Sequence, residues 1–186
     1  TYLGTSNRLA GDESWLVKKL RSELDRNSLK DLQIIVRPHP GNFAIYENLN
    51  LANTFVLPQK PSLPHTPSSL QLFWDTLYHS KAAIVGVNNS GIIEGILAGK
   101  PAIAITTERY REVQEMTQHF QELLQGDVLD RVKPEELARL LGKIFGGTDP
   151  RQAKRDEFIK QFIRPRGLDL PAGEVVAEEI EALTKS

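Results

Sequence analysis

The sequence has no cysteine. That excludes a disulfide framework, a thiolate metal site and a cysteine nucleophile, and it is compatible with a reducing cytosol. An excess of charge of either sign is missing as well. The 23 Lys and Arg against 24 Asp and Glu leave a net charge of −1, so no nucleic-acid surface is expected. The nearest approach to a basic stripe, Arg151 to Arg155, is short and reads as a solvated helix face. Long hydrophobic runs are absent too: the apolar stretches are strand-sized, well below the ~20 residues of a membrane helix, so direct membrane insertion is not expected. His, Asp and Glu never fall at metal-ligand spacing, and no paired-carboxylate arrangement or Gly-x-Ser-x-Gly elbow stands out. Neither a metal nor a cofactor is expected. There is also no initiating Met and no targeting segment. The chain opens on Tyr2-Leu3-Gly4-Thr5 as if a strand were already under way, which reads as a piece of something longer, with the cytoplasm as the default location.

What is present is ordinary for a globular protein: 40% hydrophobic and 25% charged residues in a chain of 186, enough to bury one core, so residues 1–186 read as a single domain. Short apolar runs alternate with amphipathic patterns. Asp12 is placed to cap a helix carrying Leu16, Leu20 and Leu24 on one face. Leu32 to Val36 and Thr54 to Leu57 read as strands, the first continuous enough to be covered on both faces. Pro58, Pro61, Pro64 and Pro67 then recur every third residue, the period of a polyproline II turn. This reads as a stiff loop or, alternatively, a proline-motif ligand. Pro67 opens a helix with Leu70, Phe73, Trp74 and Leu77 apolar.

Ala82 to Val87 is the strongest strand. A turn at Asn88 to Gly91 leads into a helix with Ile92, Ile93, Ile96 and Leu97, which Gly99 and Pro101 stop before a strand at Ala102 to Ile105. A helix is expected over Val113 to Leu124 and an edge strand near Val128 to Val132. Three further helices are expected behind Pro134, Asp149-Pro150 and Pro171. The alternation predicts an α/β fold: a Rossmann-like, doubly wound parallel sheet in three layers, strand order 3-2-1-4-5, with a helical C-terminal tail. A ligand then belongs at the switch point between the first and fourth strands. Three turns meet there: Thr5-Ser6-Asn7, Arg37-Pro38-His39-Pro40 and Asn88-Asn89-Ser90-Gly91.

The turn from Gly86 to Gly91 carries the main phosphate-binding candidates. Asn89 or Ser90 caps the following helix, Gly91 admits a close ligand, and backbone N–H groups with the positive helix end favour an anion. The alternative is that these residues only cap the helix. No Gly-Lys-Ser/Thr follows and no Gly-x-Gly-x-x-Gly is present, so the turn is neither a Walker A loop nor a dinucleotide fingerprint. Glu94, one turn into the helix, is either a ribose ligand or a solvated side chain. Arg37 and His39 project from a turn stiffened by two prolines, suited to phosphate and to a developing anion, or else they only stiffen it. Thr106 and Thr107 follow the fifth strand on the same rim and read as hydroxyl ligands or as plain loop.

Residues 82–109, with Asn88-Asn-Ser-Gly-Ile-Ile-Glu94, Gly99-Lys-Pro101 and Thr106-Thr-Glu-Arg109, resemble the C-terminal half of GT-B glycosyltransferases, and within them the region shared with UDP-N-acetylglucosamine 2-epimerases. Arg37-x-His39-Pro40 is similar to the turn of bacterial CDP-glycerol glycerophosphotransferases and related capsule-building transferases. Phe162-Ile-Arg-Pro-Arg-Gly-Leu-Asp169 is similar to the closing segment of bacterial transferases of this kind.

The resemblance implies a domain that binds a nucleotide-diphosphate sugar or nucleotide-alditol donor for bacterial surface polysaccharide synthesis. Asn88, Asn89, Ser90 and Gly91 would hold the diphosphate with Thr5, Ser6, Thr106 and Thr107 nearby. Arg37 and His39 would stabilise the departing nucleotide. Glu94 would reach the ribose, although the two adjacent acidic residues of the epimerase-like pattern are here Glu94 and Gly95. An N-terminal acceptor domain would be the partner, so the isolated domain is expected to bind donor without turning it over. Two alternatives stand beside this reading: an epimerase domain, which full-length protein would betray by forming N-acetylmannosamine, and a non-catalytic interaction module on the same fold.

Overall fold

The computed structural model describes residues 1–87 and 89–184. Six parallel strands form one sheet in the order β3-β2-β1-β4-β5-β6. They are β1 (Tyr2–Leu3), β2 (Ile34–Arg37), β3 (Thr54–Val56), β4 (Ala83–Val85), β5 (Ala102–Ile105) and β6 (Asp130–Val132). The expected order holds, extended by β6 at the edge beside β5. Register is set around β1, where Leu3 pairs with Arg37 on one side and Val85 on the other. The order reverses at that pair, opening the crevice of a doubly wound sheet at the carboxyl ends of β1 and β4.

Two apolar layers follow from the strand period of two, which sends neighbouring side chains to opposite faces. On one face Tyr2, Val36, Ile103 and Ile105 pack against Leu16, Leu20 and Leu24 of α2 (Ser14–Arg26) and Leu137 and Leu141 of α6 (Leu137–Phe145). On the other, Leu3, Ala83, Val85, Ala102 and Ala104 meet α3 (Pro67–Tyr78), α4 (Gly91–Leu97) and α5 (Gln118–Gln125). The second face is built from small residues, which lets α4 lie close. A methyl group on Gly95 would run into the Cβ of Ala83, well inside van der Waals contact.

Local chemistry explains most element ends. Thr66 caps α3 in a reciprocal pair with Ser69, and Pro67 occupies the first turn as expected. Gly99, at φ +70°, ends α4. Asp12 accepts from the Ser14 N–H at 2.9 Å, so it caps α2 one residue further out than a regular N-cap. A single helical turn, α1 (Asn7–Ala10), replaces part of the expected first loop, and a 3₁₀ stretch covers Pro40–Tyr46.

Two expectations need correction. The helix expected from Val113 starts only at Gln118, because residues 111–116 run as turns that bury Gln114 and leave Met116 exposed. The Arg151 to Arg155 stripe is not a solvated face. Arg151 pairs with Asp130 at 2.6 Å and Asp127 at 2.8 Å, while Arg155, fully buried, pairs with Asp149. These contacts fasten α7 (Gln152–Phe158) to the loop before β6. The tail is helical as expected: α8 (Ala172–Thr184) buries no residue.

Candidate functional site

The three turns at the switch point are bonded to one another. The Gly4 N–H donates to the Arg37 carbonyl at 2.9 Å, joining the first turn to the second. Asn42, buried behind the Pro40 turn, donates from Nδ2 to the Thr5 carbonyl at 3.1 Å and the Gly11 carbonyl at 2.8 Å. Thr5 donates from Oγ1 to the Val87 carbonyl at 3.1 Å and accepts from Asn89 Nδ2 at 2.9 Å, joining the first turn to the third.

Within this frame Asn89 is a structural bridge. Its Nδ2 also reaches the Leu3 carbonyl at 3.2 Å and the Val87 carbonyl at 3.3 Å, and its Oδ1 accepts the Gly91 N–H at 2.9 Å. The Asn89 side chain is therefore the cap of α4, Ser90 makes no cap bond, and the Gly91 N–H is already bonded within the turn. Gly91 is a glycine for packing: a Cβ there would stand 2.8 Å from Leu3 Cδ1 and 2.7 Å from Asn89 Oδ1. The Ser90 side chain is exposed beside an apolar groove of about 670 Å³ between α4, α5 and Phe158 and Phe162. Asn88 lies outside the described residues.

Arg37 does not project from the turn. It is the last residue of β2, only 8% exposed, and its Nη1 donates to Thr76 Oγ1 at 3.0 Å, with the Phe73 ring 5.0 Å from the guanidinium carbon. Among the described residues it has no acidic partner, and burial lowers its pKa from the ordinary value. His39 points the other way. Its Nδ1 accepts the Gly41 N–H at 3.0 Å, which leaves Nε2–H as the donor of the neutral ring, facing solvent. Ser6 and Asn7 stand on the same rim, Asn7 exposed and Ser6 half-buried. Glu94 is half-buried without a cationic partner among the described residues, and desolvation pushes its carboxyl up.

Thr106 and Thr107 are not part of this cluster. They line a separate polar cleft of about 640 Å³ with Trp15, Glu108, Glu115 and Arg131, over the carboxyl ends of β5 and β6. The switch point thus gathers Thr5, Ser6, Asn89, Ser90 and Gly91 with His39, sets Arg37 behind them, and leaves the two threonines apart. Among the described residues no group of His, Cys, Asp or Glu is arranged to hold a metal, and no helix is long and apolar enough to cross a membrane.

Sequence reading missed two residues here. Asn42 had no signal beyond following a Pro-Gly turn. Glu13, at the N-cap position of α2, is fully buried, accepting from the Tyr2 hydroxyl at 2.8 Å and from the Thr5 N–H. Compared with protein families, curated proteins and solved structures, the chain matches none of them.

Proposed function

We propose that this domain binds a nucleotide-diphosphate sugar or alditol at the switch point, as the donor half of a GT-B glycosyltransferase whose acceptor is held by another domain. One observation carries the reading. Three turns of distant sequence are hydrogen-bonded into one rim where the strand order reverses, the crevice in which doubly wound sheets take ligands. The rim offers His39 Nε2–H and the hydroxyls of Ser6 and Ser90, with the unneutralised Arg37 behind it. These are donors suited to a diphosphate. With Asn89 committed to capping, side chains rather than the α4 backbone supply most of the contacts. Glu94, unpaired beside them, is the candidate for a ribose hydroxyl.

The test is a melting-temperature panel with UDP, CDP, GDP and ADP on the wild type and His39→Ala. A ligand at 100 times its dissociation constant adds about 2.7 kcal/mol, well within resolution. One diphosphate is expected to raise the wild-type midpoint, with most of that rise lost in His39→Ala. A second reading, an interaction module, is favoured by α8, whose Val176, Ile180 and Leu183 are all exposed. A midpoint unmoved by all four nucleotides would turn the argument that way.

A further inference from the structure

Glu13 is a buried carboxylate without a counter-ion among the described residues. It closes the turn after β1 from below: Oε1 takes the Thr5 N–H and Oε2 the Tyr2 hydroxyl. Thr5 in turn bonds to Asn89, and Asn89 caps α4, so three hydrogen bonds lead from the carboxylate to the start of α4. Three phenols surround it: Tyr2 from β1, Tyr46 from the 3₁₀ stretch and Tyr110 from the segment after β5. The Tyr46 hydroxyl stands against the carboxylate yet makes no well-formed hydrogen bond. Asp12, next in the chain, adds negative charge; Lys18 and Arg109, the latter stacked on the Trp15 and Tyr110 rings, act on Asp12, and Arg37 lies on the opposite face of the sheet.

This is an unusual floor for an anion site. With Glu13 ionised, its charge lies one hydrogen bond from the Thr5 turn, where it would repel an anion bound on the rim. Once Glu13 takes a proton that repulsion is gone, and the neutral acid still accepts from Thr5 while its new O–H has the Tyr2 and Tyr46 oxygens as acceptors. Resting on the donor-site reading, we propose that Glu13 is a proton-linked positioning residue: it shapes the Thr5 turn in both states and takes up a proton when the diphosphate binds above it. Desolvation already pushes its carboxyl upward, and a second negative charge nearby pushes it in the same direction.

The test compares UDP and CDP binding by calorimetry to the whole chain and to Glu13→Gln, which keeps an acceptor for Thr5. As pH falls the two affinities should converge, and at about pH 8.5 the variant should bind about tenfold more tightly, since each unit by which an anion raises the carboxyl is a factor of ten. Protonation of the nucleotide is common to both and cancels in the ratio. A ratio that does not change with pH, including a variant weaker throughout, overturns the proposal and leaves Glu13 as a structural prop. The Glu13 carboxyl-carbon resonance of the wild type gives the same answer without a variant. Its titration midpoint should move up on adding UDP or CDP, and a fixed midpoint under saturating nucleotide also overturns it. If neither nucleotide binds either protein, the donor-site reading falls and takes the proposal with it, an outcome distinct from binding without proton linkage.

Discussion

Asn89 shows how the rim depends on single side chains. It bonds to Leu3, Thr5 and Val87 and to the Gly91 N–H, joining β1, the exit of β4 and the start of α4. Asn89→Ala would leave buried acceptors and the α4 end uncapped, so it is expected to cost about 1–3 kcal/mol in urea unfolding. His39→Ala removes an exposed ring whose one intramolecular bond is local, so it is expected to stay within about 0.5 kcal/mol of the wild type while losing nucleotide binding. The residue types of the site were legible in the sequence: Arg37, His39, Asn89 and Ser90 were singled out from the turns they occupy. Their directions were not. Arg37 turns inward because Thr76 and Phe73 of α3 receive it, and nothing in residues 34–40 encodes where α3 lies. Glu13 was invisible for the same reason, since the Tyr2 and Thr5 partners that bury it belong to another element.

Among the elements, α4 is the most constrained. It approaches the sheet through Gly91 and Gly95, above Leu3 and Ala83. Gly95→Ala would raise helix propensity on an open helix, but here its methyl meets Ala83, so it is expected to destabilise by about 1–3 kcal/mol in chemical denaturation. A stabilised Gly95→Ala would mean that α4 sits further out than described. Element types were readable from periodicity and punctuation: Pro67 for the start of α3, Gly99 and Pro101 for the end of α4, the apolar run Ala102 to Ile105 for β5. The start of α5 was misread because Val113, Met116 and Phe120 imitate a helical spacing, whereas the chain at 111–116 turns to bury Gln114. The Arg151 to Arg155 stripe was misread because the cover over Arg155 and the Asp127 and Asp130 partners of Arg151 are tertiary features.

For the whole molecule the strand order followed from alternating strands and helices with short connections, since crossover handedness leaves few topologies. The pH dependence of stability is a property at this scale. Glu13, Glu94 and Asp130 are all pushed up, chiefly by desolvation. A raised carboxyl contributes stability in full below its unfolded value, 4.5 for Glu13, and loses it as pH rises through the folded midpoint. Asp12, whose carboxyl is lowered by its bonds to Ser14, works in the opposite direction but is largely exposed. The Glu13→Gln variant should therefore gain stability over the wild type as pH rises above 4.5, and the difference should settle to a constant below it. A difference independent of pH would mean that Glu13 ionises in the fold as freely as in water.

The most direct test of the central claim is where a nucleotide touches the chain. Amide chemical shifts recorded while titrating UDP or CDP into the uniformly ¹⁵N-labelled domain report this residue by residue. The account predicts that the largest changes fall together on Gly4 to Asn7, His39 to Asn42 and Ser90 to Ile93, three stretches joined only by the fold. Shifts confined to the cleft lined by Thr106 and Arg131, or spread along α8, would contradict it.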